Sequence, residues 1–524
     1  MIKPTLVLGN NPCAHQIVSS LLSCGKPVFM ATGDTVSEFE KTEYAKWETF
    51  ELLKDTSVLQ CRGQVGNFRV KLTRNGEAFF RNAETIIISE TADREPNLGV
   101  YGLTAGSFVL PISALAAKNT PDTAFLADRN VAFLTGLYAE TGPLMMKNVL
   151  KAAHRLQTRF NSQTYIFTSH LKVAGKGLEA LSREVKKSGT VFYKFPETLL
   201  KIFQNPDGRV HITFIDEITR HDFTLEPDAV IVDETFVPSP CLRNFSRIFD
   251  LDTDTSGYLQ TDNVHRTSVM TNRKGILVTG QSRSVQTESA QQADAKAAVI
   301  TALSLAEASA SGVPDKAEID TGRCIRCLTC FRICPHRAVT KERNRVEITP
   351  EACEGCSICT AECPREAIRL TDLNPLNLKD HLAQHQQKPE TSNPLIVAFC
   401  CRRSAFTAGE TARSNSDRLP VNLIRVPVPC AGGISISHIL TAFQHGADGV
   451  MLLSCHEGNC HSEQGNRFAS HRMNRLIGML SNIGIEPERL LLDSLAANMA
   501  FEFAQKTSRF QEKIRRSHGQ IRIP

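Results

Sequence analysis

The sequence has no long hydrophobic run and no large excess of charge of either sign. Its most apolar stretch, residues 17–30, is interrupted by serine, glycine, lysine and proline, whereas a membrane-spanning helix needs about 20 apolar residues. The 524 residues carry a net charge of only +5, and the basic last twenty residues account for it. This balance excludes a body-wide nucleic-acid surface. We therefore expect neither direct membrane insertion nor nucleic-acid binding.

The amino-terminal residues lack the pattern of a secretory signal. Polar side chains stand where such a signal has its apolar core, and no twin arginine precedes them; these side chains are Asn10, Asn11, His15 and Gln16. We expect a cytoplasmic protein that reaches the inner membrane only through partner subunits.

Cysteine is the residue present in excess. Thirteen of the 17 cysteines fall between residues 324 and 460. A disulfide framework belongs to short secreted chains, whereas a large cytosolic protein keeps its thiols for metals or catalysis. No Ser-His-Asp pattern or usable carboxylate pair stands out, so we assign no catalytic residue. The four cysteines outside this region, which we expect to be buried thiols rather than ligands, are Cys13, Cys24, Cys61 and Cys241.

An internal repeat of cysteines is the most specific motif. The pattern C-x2-C-x2-C-x3-C-P occurs at residues 324–335 and again at residues 353–364. It is the signature of bacterial two-cluster ferredoxins, in which three close thiolates bind one 4Fe-4S cluster and the fourth cysteine binds the other. Two structural zinc sites are the alternative, but those usually have a longer gap between cysteine pairs. The pattern thus predicts a first set of Cys324, Cys327, Cys330 and Cys363, and a second set of Cys353, Cys356, Cys359 and Cys334.

Five further cysteines each follow a predicted strand of a last α/β module. The strands are predicted at residues 395–399, 423–427, 449–453 and 489–492, and the cysteines are Cys400, Cys401, Cys430, Cys455 and Cys460. The carboxyl ends of parallel strands meet at one edge of a sheet, so these thiols can converge. We expect them to hold another iron-sulfur centre. A zinc site with a Cys/His pair and unligated thiols are the alternatives.

Residues 394–505 closely resemble the delta subunit of methyl-viologen-reducing hydrogenase. The motifs that carry the resemblance are FCC, PCAGG, GADGVMLLSCHEGNCHSEQGN and IGIEPERL. The resemblance implies a 2Fe-2S cluster whose four ligands come from the five cysteines just named. The family often has a further cysteine soon after the CC pair, where this chain has Arg402, Arg403 and Ser404. Which four of the five cysteines bind therefore stays open.

The amino-terminal residues 4–32 predict a βαβ unit with a degraded dinucleotide fingerprint. A Rossmann turn needs G-x-G-x-x-G, so that backbone amides at the helix N-terminus approach a pyrophosphate, and an acidic residue after the second strand. This chain has Gly9-Asn10-Asn11-Pro12-Cys13-Ala14, and Thr32 stands in place of the acid. If FAD is retained, its candidate contacts are Gly9, Asn11 and Gly280, but the Asn11 side chain weakens that prediction.

The order of segments resembles the A subunit of heterodisulfide reductase and the B subunit of the quinone-interacting membrane-bound oxidoreductase. The similar stretches are GQVGNFRVKL (64–73), LKVAGKGLEALSREVKKSGTVF (171–192), PDAVIVDETFVP (227–238) and GILVTGQSRSVQTESAQQADAKAA (275–298). These families bind FAD, and the second one fuses such a body to a hydrogenase-delta-like module.

We therefore predict an α/β multidomain protein. Residues 1–312 form a degenerate Rossmann-like body with two dinucleotide-binding halves and an inserted α/β subdomain at about residues 125–225. A two-cluster 4Fe-4S ferredoxin-like domain follows at residues 317–370, a linker at 371–394 and a hydrogenase-delta-like iron-sulfur domain at 395–524.

This organisation predicts an electron-transfer subunit without a substrate site of its own. The subunit would pass single electrons between the ferredoxin clusters and the C-terminal cluster. Its partners would be other subunits of a heterodisulfide-reductase-like, hydrogenase or quinone-linked redox complex. The alternatives are an FAD-containing oxidoreductase that splits or merges electron pairs, and an assembly scaffold that has lost its cofactor.

Overall fold

The computed structural model describes most of the chain and divides it into two compact units. The described residues are 3–33, 44, 47–115, 125–137, 140–195, 200–215, 221–259, 267–310, 316–342, 345–370, 393–415 and 419–516. The larger unit comprises residues 1–90, 241–283 and 292–524, and the smaller unit comprises residues 91–240 and 284–291. Most of the predicted linker 371–394 lies outside the described residues.

The larger unit begins with a five-stranded parallel sheet. From one edge to the other its strands are Ile276–Val278, Thr85–Ile88, Thr5–Leu8, Val28–Ala31 and Phe50–Leu53. Helices Pro12–Ser23 and Glu288–Ala310 pack on one face of this sheet. The inner strands are almost wholly buried, as is usual where helices and loops cover both faces of a parallel sheet. The predicted βαβ opening is confirmed.

An antiparallel sheet of three strands follows in the same unit. Its strands are Thr56–Arg62, Phe68–Arg74 and Glu77–Ala83. The last two are joined by Asn75 and Gly76, whose φ angles of 50° and 82° are those of a tight hairpin turn. This sheet was not predicted from the sequence.

The smaller unit has a second parallel sheet of five strands. In order these are Val191–Lys194, Gln163–Thr168, Asn130–Thr135, Ala229–Val232 and Val109–Pro111, with helices Pro143–Arg159 and Leu178–Lys187 packed on them. Three antiparallel strands form a separate sheet, Lys201–Gln204, Val210–Ile215 and Asp222–Leu225, and Asp93–Pro96 pairs with Glu234–Val237. Helix Pro240–Phe249 leads back to the larger unit.

The repeated cysteine motifs lie among very short elements. Strand Glu318–Ile319 pairs with Ile368–Arg369, and Val339–Glu342 pairs with Arg345–Ile348. The two helices, Thr329–Ile333 and Ile358–Ala361, each follow the second cysteine of a motif. Elements this short bury little apolar surface, so we expect the bound clusters to contribute much of the stability of this segment.

The last segment is a four-stranded parallel sheet with helices on both faces. Its strands run in the order Leu423–Val428, Ile396–Cys401, Gly449–Ser454 and Leu490–Ser494. The helices are Ala405–Ser414, Ile436–Gln444, Gly465–Leu480 and Ala500–Arg516. All four predicted strands are present, whereas the helix at residues 405–414 was not predicted.

The fold is therefore mixed α/β, with a Rossmann-like body, a ferredoxin-type segment and a C-terminal α/β domain, as the sequence predicts. In the part of the chain that the structure describes, none of the helices is long and apolar enough to cross a bilayer.

Candidate functional site

The first cysteine set surrounds one cavity. Its four thiols line this cavity together with apolar side chains, Ile319, Val346 and Ile368 among them. Arg326 and Leu328 adopt φ angles of 58° and 62°, which turn the backbone tightly between successive cysteines. Such loops can direct three sulfurs at a single cluster. The structure thus brings together Cys324, Cys327, Cys330 and Cys363, the set expected from the motif.

The second set is more deeply buried. Burial is the main cause that raises the pKa of Cys356 to about 12, and the neighbouring Cys334 and Cys353 add to it. Cys359 shows the same effect and feels the same neighbours. Burial thus disfavours the charged form of these thiols, and a bound metal would have to replace their protons. The structure brings Cys334, Cys353, Cys356 and Cys359 together, again as the motif predicts.

The repeat extends to the hydrogen bonds that sulfur accepts. The amide of Ala338 donates to Cys334 Sγ over 3.4 Å, and the amide of Ala367 donates to Cys363 Sγ over 3.3 Å. In both motifs the donor lies four residues after the cysteine that crosses to the other set. Amide hydrogen bonds to sulfur are among the factors that tune the potential of an iron-sulfur cluster.

Four of the five C-terminal cysteines meet at the carboxyl edge of the last sheet. Cys401 ends strand Ile396–Cys401, and Cys430 and Cys455 follow the strands on either side of it. Hydrogen bonds join the thiols in a row from Cys401 through Cys455 and Cys460 to Cys430. All four side chains are buried.

The hydrogen bonds among these four thiols shift their pKa values in opposite directions. The hydrogen bond from Cys455 lowers the pKa of Cys401, and hydrogen bonds from Cys430 and Cys455 lower the pKa of Cys460. The same bonds raise the pKa of Cys430 and Cys455, which donate them. The four thiols are thus close enough to share protons, and a bound metal would replace those protons, because thiolate is the form that binds iron.

Cys400 is not part of this group. Successive side chains of a strand point to opposite faces of the sheet, so Cys400 and Cys401 point apart. Cys400 packs into the apolar core beside Ala398 and Met451, with its Sγ 3.4 Å from the carbonyl oxygen of Ala398. Burial raises the pKa of Cys400 to about 12.

Two glycines that the sequence analysis did not single out make room for the C-terminal thiols. A Cβ atom on Gly465 would lie 2.3 Å from Cys430 Sγ and 3.3 Å from Cys460 Sγ. A Cβ atom on Gly432 would lie 2.6 Å from the carbonyl oxygen of Gly465. The two glycines that closely follow Cys430 were the available signal for such close packing, whereas nothing local distinguishes Gly465.

The second set and the C-terminal group are in direct contact. Cys356 packs against the cluster of Cys430, Cys455 and Cys460. A Cβ atom on Gly433 would lie 2.1 Å from Ser357 Oγ, so only glycine allows this approach of the two segments. Both cysteine groups lie in the larger compact unit.

A buried arginine also stabilises the contact between the second cysteine set and the C-terminal group. Arg472 forms an ion pair with Glu362 of the second motif and donates to the carbonyl oxygens of Gly432, over 3.2 Å, and Ile434. Its side chain is 7% exposed. The loop that carries Cys430 is thus fixed to the second ferredoxin motif by charge as well as by packing.

The histidines beside the C-terminal thiols have other partners. His456 Nδ1 lies 2.8 Å from Ser494 Oγ, and its Nε2 lies 3.4 Å from Met499 Sδ. Among the residues that the structure describes, no three Cys, His, Asp or Glu side chains have the geometry of a site for a single metal ion.

The remaining cysteines differ in exposure. Cys13 is buried in the core, as expected, whereas Cys24 is exposed because it caps the end of helix Pro12–Ser23. Cys61 and Cys241 are half-buried.

The predicted FAD contacts lie at the carboxyl edge of the first sheet, where Asn11 is held by the chain itself. Gly9 has a φ of 123°, and a Cβ atom there would lie 1.9 Å from the carbonyl oxygen of Ser89. Asn11 Oδ1 accepts from the amide of Ala14 over 2.9 Å, and its Nδ2 donates to the carbonyl oxygen of Ser89 over 2.8 Å. Pro12, the first residue of the helix, has no N–H to offer.

The amide of Gly280, another predicted FAD contact, also has a hydrogen-bond partner within the chain. It donates to Asp294 Oδ2 over 3.2 Å, and Arg283 forms an ion pair with the same buried carboxylate. Ser282 Oγ accepts from the amide of Glu90 over 2.6 Å. Amides that a dinucleotide pyrophosphate would need are thus bound within the chain, so these residues do not fit the usual contacts of FAD.

Comparison with known proteins agrees with these centres. Residues 396–517 match the family described as methyl-viologen-reducing hydrogenase, delta subunit, and residues 316–364 match the 4Fe-4S dicluster domain. The iron-sulfur D subunit of an F420-non-reducing hydrogenase from Methanococcus voltae is 35% identical over 126 residues, which cover 24% of this chain and 88% of that relative.

A second relative covers the body. The A subunit of the ferredoxin/F420H2-dependent CoB-CoM heterodisulfide reductase from Methanosarcina acetivorans is 23% identical over 371 residues, 70% of this chain and 46% of the relative. This chain therefore spans about half the length of that protein.

Among solved structures, T. acidophilum thioredoxin reductase is similar in fold. The match covers 59% of this chain and 99% of the thioredoxin reductase chain, with 15% identity and a TM-score of 0.41. The predicted resemblances to the hydrogenase delta subunit and to the heterodisulfide reductase A subunit are confirmed, as is the 4Fe-4S domain.

Proposed function

Through residues 396–517 the chain belongs to the methyl-viologen-reducing hydrogenase delta-subunit family, and we propose that it carries single electrons between its ferredoxin domain and a C-terminal cysteine centre. The chain is an iron-sulfur electron-transfer subunit of a redox complex. The observation that carries the proposed route is the packing of Cys356 against Cys430, Cys455 and Cys460. Electron tunnelling weakens steeply with distance, so direct contact between two ligand sets favours transfer between them.

The C-terminal centre would be a 2Fe-2S cluster held by Cys401, Cys430, Cys455 and Cys460. These are the four thiols that lie together in the structure, and Cys400 points to the other face of the sheet. When bound, a cluster of this kind gains and loses one electron at a time. All four thiols are buried, and Gly432 and Gly465 let the backbone pack close to them, while a groove beside Cys455 opens to solvent.

The ferredoxin domain would hold two 4Fe-4S clusters with the first and second cysteine sets. The second set would be the inner one, since it is less exposed than the first set and its Cys356 touches the C-terminal thiols. Arg472 and the Ser357–Gly433 contact hold the two segments in place, and both contacts lie within one compact unit. A fixed distance between the two sites keeps the rate of transfer independent of domain motion.

We infer that other redox subunits are the partners. The relatives are subunits of hydrogenases and heterodisulfide reductases, and catalytic chemistry would lie in those partner subunits rather than in this chain.

The ligand assignment can be tested with two adjacent variants in the full chain, purified without oxygen. We expect Cys400→Ala to keep about ten irons per chain, and Cys401→Ala to keep about eight, because only the 2Fe-2S centre is lost. Electron paramagnetic resonance (EPR) of the reduced proteins identifies which signal disappears. Each variant is the control for the other, since the two substituted cysteines are adjacent in one strand and differ in the face of the sheet to which they point. A loss of the signal in Cys400→Ala with an intact signal in Cys401→Ala would contradict the assignment.

The route itself can be tested by spin coupling. Two reduced clusters whose ligands touch should broaden or split each other's EPR signals. We expect this interaction in the fully reduced wild-type chain and its loss in Cys401→Ala, with the 4Fe-4S signals otherwise unchanged. Three independent signals in the fully reduced wild-type protein would refute the proposed route.

A further inference from the structure

Parallel sheets of this fold bind dinucleotides at glycine turns after their strands. The amides of such a turn and of the following helix N-terminus surround the pyrophosphate. The two compact units each contain a turn of this kind, after strand Thr5–Leu8 and after strand Asn130–Thr135. In both turns a side chain of the protein already accepts from one of the backbone amides.

In the smaller unit this side chain is Asp233, which follows strand Ala229–Val232. Its Oδ2 accepts from the amide of Gly136 and from Thr141 Oγ, each over 2.8 Å. Its Oδ1 accepts from Asn97 Nδ2 over 2.9 Å and from the Tyr101 hydroxyl over 3.0 Å. Four donors fill the acceptor positions of one carboxylate, which is only 3% exposed.

The carboxylate of Asp233 thus occupies the position that a bound anion would take at the turn after strand Asn130–Thr135. Gly136 is the first residue after the strand and has a φ of 64°, and a Cβ atom there would lie 2.8 Å from Thr141 Oγ. A pyrophosphate at this turn would have to displace a buried carboxylate from four hydrogen bonds. It would also meet a negative charge in a site with little water to screen it.

In the larger unit the corresponding side chain is Asn11. It caps helix Pro12–Ser23 through the amide of Ala14 and ties the turn to the carbonyl oxygen of Ser89. The amide of Gly280, which follows the edge strand Ile276–Val278 of the same sheet, donates to the carboxylate of Asp294. Each of these amides thus has a partner within the chain.

We propose that Asn11 and Asp233 close the two nucleotide turns, so that the Rossmann-like body binds neither FAD nor a nicotinamide nucleotide. The body keeps the fold of a dinucleotide-binding protein and serves to support the iron-sulfur domains.

A second conclusion rests on the proposed function. Without flavin or nicotinamide the chain has no acceptor for a hydride. Its electrons must therefore come from a protein that donates them one at a time. The first cysteine set is accessible to such a partner. Cys327 is exposed, and beside it Ile325 and Phe331 are 59% and 43% exposed, which is the apolar character of a contact surface.

One substitution restores most of the dinucleotide fingerprint. Asn11→Gly converts residues 9–14 to G-x-G-x-x-A, and glycine is an acceptable N-cap, so the helix should persist. Asn11→Ser is the matched control, because serine also caps the helix with a side chain at that position. FAD binding to each full-length protein is measured by the quenching of flavin fluorescence, and flavin content by release in acid.

We expect wild type and Asn11→Ser to be purified without flavin, and Asn11→Gly to bind added FAD at least about tenfold more tightly than either. Stoichiometric flavin in the wild-type protein would overturn the proposal. Equal affinity of wild type and Asn11→Gly for FAD would overturn the role of Asn11. Circular dichroism shows that the variants are folded.

The source of electrons is tested on the anaerobic wild-type protein. We expect NADH and NADPH to leave the iron-sulfur absorbance unchanged and reduced methyl viologen, a one-electron donor, to bleach it. Bleaching by NADH would contradict the proposal that Asp233 closes the nucleotide turn of the smaller unit. Failure of reduced methyl viologen would instead refute the proposed function, and the flavin result would still stand.

Discussion

Gly465→Ala is the sharpest test of the C-terminal centre. Gly465 begins helix Gly465–Leu480, and its missing side chain leaves space for two sulfur atoms. A Cβ atom at that position would lie 2.3 Å from Cys430 Sγ, whereas ordinary contacts begin at 3.4 Å. The sulfur or the helix must therefore move by about 1 Å. Metal-ligand distances tolerate about 0.2 Å, so this displacement is several times too large for an intact site.

We expect Gly465→Ala to lose the C-terminal centre and to keep both 4Fe-4S clusters. Iron should fall from about ten to about eight per chain, and the EPR signal that Cys401→Ala removes should disappear. Overpacking of this kind costs about 1–3 kcal/mol of folding free energy, so the chain should still fold. The measurement is iron content with EPR on anaerobic protein and a denaturation curve.

Gly478→Ala, in the same helix, is the control. A Cβ atom on Gly478 meets nothing within 4 Å, so the cluster signals should not change. Alanine is the better residue in a helix, and we expect a gain of about 0.5–1 kcal/mol in the free energy of unfolding. If Gly465→Ala binds as much iron as Gly478→Ala and keeps the C-terminal signal, Cys430 and Cys460 do not hold the centre in the arrangement described above.

Two further substitutions test the buried polar contacts. Asp233→Asn replaces one carboxylate oxygen by an NH2 group, which faces an N–H donor in either orientation, the amide of Gly136 or Asn97 Nδ2. We expect a loss of about 2 kcal/mol in urea denaturation, against no change for the exposed Asp207→Asn. Equal stabilities would contradict the hydrogen bonds of Asp233. Arg472→Met leaves Glu362 and two carbonyl oxygens without their donor, and we expect a loss of about 2 kcal/mol and weaker spin coupling between the second 4Fe-4S cluster and the C-terminal centre. Arg475→Met, on the exposed side of the same helix, is its control, and the prediction fails if the two arginine variants behave alike.

The sequence predicted the features whose information is local. The two ferredoxin sets follow from the spacing of cysteines over a dozen residues, and the structure groups them accordingly. The parallel strands of the C-terminal module were predicted because each is a short apolar run. The hairpin around Asn75-Gly76 was also predictable, since apolar Phe68, Val70 and Leu72 alternate before that turn.

The features that the sequence did not predict depend on contacts between distant residues. The sequence does not distinguish Cys400 from Cys401 as a ligand. Only the orientation of their strand in the folded sheet shows that Cys400 packs in the apolar core and Cys401 joins the other thiols. Gly465 lies 35 positions from Cys430, with no motif to connect them. Asp233 is one of many acidic residues in the chain, and its four donors come from separate segments.

The degree of burial gives the electron path a direction in space. The first set is exposed at Cys327, the second set is half-buried except for the buried Cys353, and the C-terminal thiols that Cys356 contacts are buried. Beyond them a groove lined by Cys455, Arg467 and His471 opens to solvent. A path that is exposed at its first set and has a groove beside its last thiols suits a chain that connects two partners. Because the nucleotide turns are closed by Asn11 and Asp233, neither a flavin nor a nicotinamide can divert electrons from this path, so the chain can transfer them only one at a time.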